Sequence, residues 1–235
     1  MLPESFIPGV LEMSSIPLSD VAETFEWSAV LTNRILVTVS VFLLLLMLGD
    51  LFKLMPALFY SVGRSRGIAY LEYNVSISRM RNRFAALCVL PFCLIVDRFS
   101  LYDPDFLSPL APEWKTPAII GVMTVYLCLR LVGHAIFCPR HLGRDASVTA
   151  RKCAYTFFIL LCILMILSTA LLTVFSVPER VVRMILYAEI ALAFPCSMVR
   201  TAQFLNGQCS KLATFLYLCG LEILPAAVLL LSTLI

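Results

Sequence analysis

The chain has 235 residues, 60% of them hydrophobic and only 14% charged, too little charge to cover a water-soluble domain of this size. The net charge of +3 comes from basic residues scattered between apolar blocks, which excludes the continuous basic face that nucleic-acid binding needs. A bilayer crossing takes roughly 20 residues, so most of the chain after Val30 is used in crossing and little is left for a soluble domain.

Residues 1–33 read as an acidic tail carrying Glu4, Glu12, Asp20, Glu23 and Glu26, with prolines at Pro3, Pro8 and Pro17. The tail has neither the basic start nor the continuous apolar core of a signal peptide, so the first span is expected to be an uncleaved anchor. That span is predicted from Ile35 to Leu48. Beyond Asp50, the residues Leu51, Leu54, Met55, Leu58 and Val62 recur on one helical face. They predict a continued helix or an interfacial helix broken at Pro56.

The second span is predicted from Phe84 to about Tyr102. Only 13 uncharged residues run from Phe84 to Val96 before Asp97, a run short enough for a re-entrant segment as well as a crossing. The third, Pro117 to Phe137, has Pro117 at its start and Pro139 just past its end. The fourth, Ala154 to Ser176, carries no charge. The fifth, about Val182 to Phe204, contains Glu189 and Pro195; the sixth, Leu212 to Leu234, contains Glu222 and Pro225. The expectation is an all-α, polytopic transmembrane bundle of about six spans over residues 34–235.

Lysine and arginine set its orientation. Six of them fall in 53–83, four in 138–152, and Arg200 and Lys211 flank the last loop, 200–211. The alternate segments carry the acidic tail and Asp97, Asp103, Asp105 and Glu113. The basic loops are therefore predicted to be cytoplasmic and both termini to lie outside, N-out and C-out. The nine cysteines mostly sit in apolar segments, where a thiol acts as a small hydrophobe.

Ionisable residues inside spans are costly in hydrocarbon and face protein or water, which makes them candidates for function. The candidates are Arg130 and His134 in the third span, Glu189 in the fifth and Glu222 in the sixth. At about 1.5 Å of rise per residue, Arg130 and Glu222 lie at similar depth on the cytoplasmic side of centre, and Glu189 lies towards the outer side. Glu222 is thus the expected partner of Arg130, with Glu189 second. Tyr126, Arg130 and His134 follow at spacings of four, so one helical face carries all three. That face is either a polar track for protons or an anion, or an ion pair fixing which helices adjoin. Gly133 beside it permits close approach of a neighbour.

Metal ligation has one weak candidate set in His134, Cys138 and His141, with Cys153 near by. The C-x-x-H spacing stands there without a C-x-x-C, and no metal or other cofactor is expected. H-E-x-x-H, G-x-S-x-G and Walker signatures are missing, so no catalytic residue is assigned and a non-enzymatic protein is expected. Arg64, Arg66, Arg79, Arg81 and Arg83 read as a topology signal that also suits anionic lipid or a partner.

The last span reads Phe215-Leu216-Tyr217-Leu218-Cys219-Gly220-Leu221-Glu222-Ile223-Leu224-Pro225. Pro225 frees the carbonyl of Leu221 and predicts a helix break there, as Pro195 does in the fifth span. This FLYLC-x-LEILP tail resembles that of an uncharacterised inner-membrane family of Bacteroidota, a domain of unknown function. The resemblance implies a bacterial inner membrane, with the outside being the periplasm, and brings no catalytic role. The expected function is then a binding or assembly subunit, or a biogenesis factor, of an envelope complex. Its partners would be the lipid bilayer and other membrane or periplasmic proteins. A small secondary transporter or channel subunit using Arg130, Glu189 and Glu222 is the alternative, and a lipid-acting enzyme the third.

Overall fold

A computed structural model describes residues 27–63, 75–107, 109–137, 144–206 and 211–232. Its helices are α1 (Leu31–Leu46), α2 (Leu48–Gly63), α3 (Val75–Arg98), α4 (Pro112–Phe137), α5 (Arg144–Val174), α6 (Glu179–Asn206), α7 (Lys211–Tyr217) and α8 (Leu224–Leu231). A 3-10 turn, Asp105–Leu107, precedes α4, and a π-helical turn, Leu218–Ile223, joins α7 to α8. No strand occurs among the described residues.

Four helical stretches are long and apolar enough to cross a membrane: Pro112–His134, Lys152–Val174, Glu179–Gln203 and Thr214–Leu231. The α1–α2 pair, bent by 67°, makes a fifth if it counts as one crossing. The chain is thus a helical membrane protein with four to five candidate crossings. The second predicted span corresponds to α3, which carries too many charges to be counted with them: Arg79, Arg81, Arg83, Asp97 and Arg98.

The reason lies in the packing. Ten of the 24 residues of α3 are buried, including Arg81 and Asp97, because α1, α2, α4 and α5 surround it. A helix enclosed by protein has little lipid-facing surface and tolerates polar residues. One apolar cluster joins Leu54 and Leu58 of α2, Phe84, Ala85 and Cys88 of α3, and Ile159 and Cys162 of α5. Ala85 and Cys88 are small enough to let α5 come close. The predicted stripe through Leu54 and Leu58 is the buried face of α2; both are fully buried.

At the periphery the pattern inverts. Along α1 the apolar Leu31, Ile35, Phe42 and Leu46 are exposed, whereas its buried residues are Asn33 and Ser40. In water that arrangement would unfold the helix; in lipid it places apolar atoms in hydrocarbon and polar atoms against protein.

Several boundaries differ from those read in the sequence. The first helix bends at Met47, whose φ of −94° and ψ of 3° leave the helical region, and not at Pro56, which lies inside α2. Gly49 is a poor helix former, and Asp50 in the first turn of α2 favours a fresh helix start there. Pro195 does not break α6, which continues through it to Asn206; membrane helices absorb such prolines. The third predicted span starts at Pro112, five residues before Pro117. The basic segments are in good part helix ends, since 53–63, 75–83, 144–152 and 200–206 all lie in helices.

Hydrogen bonds define two faces. Near Asp97 meet the start of α1, the end of α3 and the starts of α4 and α6. Arg98 pairs with Glu179 at 3.2 Å, and Tyr102 meets Ser232 at 2.8 Å. The start of α1 and the end of α8 therefore share this Asp97 face. On the opposite, Arg79 face, Lys152 at the start of the fourth span reaches Ser78 of α3 at 3.4 Å. With Ser78 at one face and Asp97 at the other, α3 runs the depth of the bundle. It ends at Phe99–Ser100, where Ser100 takes a φ of 46° and Leu101 N–H returns to the carbonyl of Val96 at 2.8 Å, a left-handed helix stop.

Candidate functional site

The most concentrated chemistry lies where α4 meets the C-terminal helix. On α4, Arg130 and His134 stand one turn apart. On the antiparallel partner, Tyr217 and Glu222 stand five residues apart, across the π-helical turn. Arg130 Nη2 donates to both carboxylate oxygens of Glu222. Tyr217 Oη and His134 Nδ1 lie 3.3 Å apart, their rings tilted at 55° with centroids 5.5 Å apart. Glu222, His134 and Tyr217 are buried.

The π-helical turn sets this register. In a regular α-helix, residues five apart point well away from each other. The wider turn brings the 217 and 222 positions back towards one side, matching the four-residue step on α4. It forms just before Pro225, which sits in the first turn of α8 and has no N–H for the carbonyl of Leu221. Leu224 N–H instead reaches back five residues to Cys219. The proline expected to break the helix thus widens it into a π turn, a device common at functional sites.

Gly133 makes the contact possible. A Cβ there would lie 3.1 Å from Cδ2 of Leu221, so the two helices approach at this level. On the other side of Arg130 they separate, leaving a groove of about 440 Å³ lined by Tyr126, Arg130, Gly220, Leu224, Pro225 and Val228 among others. The groove ends at Tyr102 and Ser232 on the Asp97 face. Arg130 Nε is buried without a hydrogen-bond partner among the described residues.

Other residues singled out from sequence lie apart from this cluster. Glu189 accepts from Ser168 Oγ at 3.2 Å across α5 and α6 and does not pair with Arg130. Arg81 is fully buried, its Nη2 reaching Ser78 at 3.3 Å and Asn82 at 3.2 Å, so it faces the bundle and not a headgroup or partner. Arg79 and Arg83 are exposed. Arg64, Arg66, Cys138 and His141 lie outside the described residues. Among the described residues no three His, Cys, Asp or Glu side chains are grouped to hold a metal, and His134 of the weak candidate set is engaged with Tyr217.

One network escaped the sequence reading. Asn33, Asp97 and Thr116 are all buried, although the sequence reading puts Asn33 in the tail, counts Asp97 with the acidic outer segment and assigns Thr116 nothing. Thr116 Oγ1 bridges Asn33 Oδ1, at 2.6 Å, and Asp97 Oδ2. Trp27 Nε1 donates to Asp97 Oδ2 at 2.8 Å, and Asn33 Nδ2 to the Trp27 carbonyl at 3.1 Å. Arg98 stacks over the Trp27 ring at 5.6 Å. The available signal was Asn33 and Ser40 spaced two turns apart in an apolar helix, one polar stripe that must face protein.

Comparison with protein-family models, curated proteins and solved structures returns no match.

Proposed function

We propose that this protein is a non-enzymatic integral membrane protein that acts by binding others, as a subunit or biogenesis factor of an envelope complex in a bacterial inner membrane. In this reading the bent α1–α2 pair crosses once and α3 crosses inside the bundle, making six crossings with both ends outside. One observation carries it: the intramembrane ionisable groups are spent on joining helices of the same chain. Arg130 holds Glu222, Glu189 takes the Ser168 hydroxyl, and Tyr217 meets His134. Such bonds fix which helices adjoin and need no turnover. The tagged protein, drawn from native membranes in mild detergent, is expected to bring stoichiometric partners identified by mass spectrometry. A lone protein across several mild detergents would sink the reading.

The groove beside Arg130 favours a second one, a small transporter or channel subunit. Its apolar walls and its single buried cation with an unused Nε suit an amphiphilic anion. Under that reading Glu222→Gln abolishes flux in proteoliposomes while the fold survives. Under the first reading it lowers assembly or abundance.

A further inference from the structure

A second cavity stands at the Arg79 face, where the α1–α2 bend meets the start of α3. It holds about 400 Å³ and is lined by Met47 and Asp50 of the bend and by Ser76, Arg79, Met80, Arg83 and Phe84 of α3, with Val75 at its edge. Arg79 and Arg83 are one helical turn apart, so their guanidinium groups project from one face. Asp50 stands on the opposing wall, half-buried. Among the described residues none of these three charges forms an ion pair or a hydrogen bond. Other charges facing each other in the bundle do pair, as Arg98 does with Glu179 and Arg130 with Glu222. Leaving two cations and a carboxylate around one cavity without joining them is how a site is built for a ligand carrying both signs.

The position in the fold narrows the ligand. Arg83 immediately precedes the uncharged run Phe84–Val96, so the cavity lies where hydrocarbon gives way to headgroups. Phe84, almost fully buried, and Met80 and Met47 supply an apolar wall on the hydrocarbon side. Paired arginines recognise a phosphodiester through charge-assisted hydrogen bonds. A carboxylate facing them repels a purely anionic headgroup and requires a donor of its own.

We propose that this cavity binds the headgroup of a phospholipid carrying a primary amine, of the phosphoethanolamine type. The phosphodiester sits between Arg79 and Arg83, the ammonium donates to Asp50, and the acyl chains pass along Met47, Met80 and Phe84. A trimethylated ammonium has no N–H and forfeits the Asp50 bond, so the site distinguishes phosphatidylethanolamine from phosphatidylcholine. The inference needs the chain to be a membrane protein and is independent of whether it assembles with partners.

The test uses the full chain, delipidated and returned to detergent micelles with phosphatidylethanolamine, phosphatidylcholine or phosphatidylglycerol, with retained lipid counted by native mass spectrometry. The wild type is expected to retain phosphatidylethanolamine about tenfold more strongly than phosphatidylcholine, the worth of one charge-assisted hydrogen bond. Asp50→Asn brings the two lipids level. Arg79→Gln with Arg83→Gln releases both. Soluble glycerophosphoethanolamine does not displace the bound lipid, which separates a lipid site from a free-headgroup site. Neither Arg79 nor Arg83 bonds to the described structure, so unchanged circular dichroism in that variant certifies the fold. Equal retention of the two lipids by the wild type, or undiminished retention by the double-arginine variant, overturns the proposal.

Discussion

Arg130 and Glu222 occupy one low-dielectric contact, and neither is replaceable alone. Removing one partner leaves a buried charge uncompensated, at a cost of about 3 kcal/mol or more. Replacing both by apolar residues of similar volume leaves no orphan. Glu222→Leu and Arg130→Met are each expected to lower stability by that amount, and the double variant by less than either. A denaturant titration of the purified protein in detergent checks it through a double-mutant cycle. Additive losses would mean that the two side chains do not interact. Their pairing was readable in the sequence, because depth follows from residue number and both charges fall at one level of the bilayer. The Asn33–Asp97–Thr116 contact was not readable. Each member stands at a helix end, where the sequence does not distinguish a residue turned into the bundle from one left in the headgroup region.

At the scale of helices, the C-terminal element depends on a local irregularity. With Pro225 replaced by alanine, residue 225 regains an N–H for the carbonyl of Leu221, and the π turn can close to a regular helix. One residue of slippage rotates a helix by about 100°, which carries Glu222 away from Arg130. Pro225→Ala is therefore expected to reduce the Arg130–Glu222 coupling energy in the same cycle, although alanine is the better helix former. An undiminished coupling would show that the π turn does not depend on the proline. The sequence marked Pro225 and Pro195 alike as helix breaks, yet only the first changes the helix. Pro195 lies within a long regular helix, whereas the turn before Pro225 has Gly220 within it and a charged residue with a partner to reach. The bend at Met47 went unread, and Pro56 was offered as the alternative to a continued helix, for the same reason: proline is conspicuous in a sequence, while a single residue leaving helical geometry has no compositional sign.

At the scale of the whole molecule, the hydrogen bonds from Asp97 to Trp27 and from Tyr102 to Ser232 bring both ends of the described chain to one face. Reporter fusions at the two termini are accordingly expected to behave alike: periplasmic alkaline phosphatase active at both, and cytoplasmic reporters silent at both. Opposite behaviour at the two ends would remove one crossing and with it the role of α3 as a membrane helix. The alternation of basic and acidic segments in the sequence leads to the same expectation, because charge at helix ends is set by the membrane as a whole. The number of crossings was harder to read. Hydropathy registers contact with lipid, and a helix surrounded by its own chain has little of that contact to register.

The enclosure of α3 has a consequence for how the chain is made. A translocon sorts each segment by its own affinity for lipid as the segment emerges, before the neighbours that will later shelter it exist. Arg81 and Asp97 are tolerable only once α4 and α5 are in place, so α3 is expected to enter the membrane late, held back until the following helices arrive. A chain truncated after Arg98 should leave α3 accessible to water-soluble thiol reagents at Cys88 and Cys93, while a chain extended through Val174 should protect both. Protection already in the short chain would mean that α3 inserts unaided.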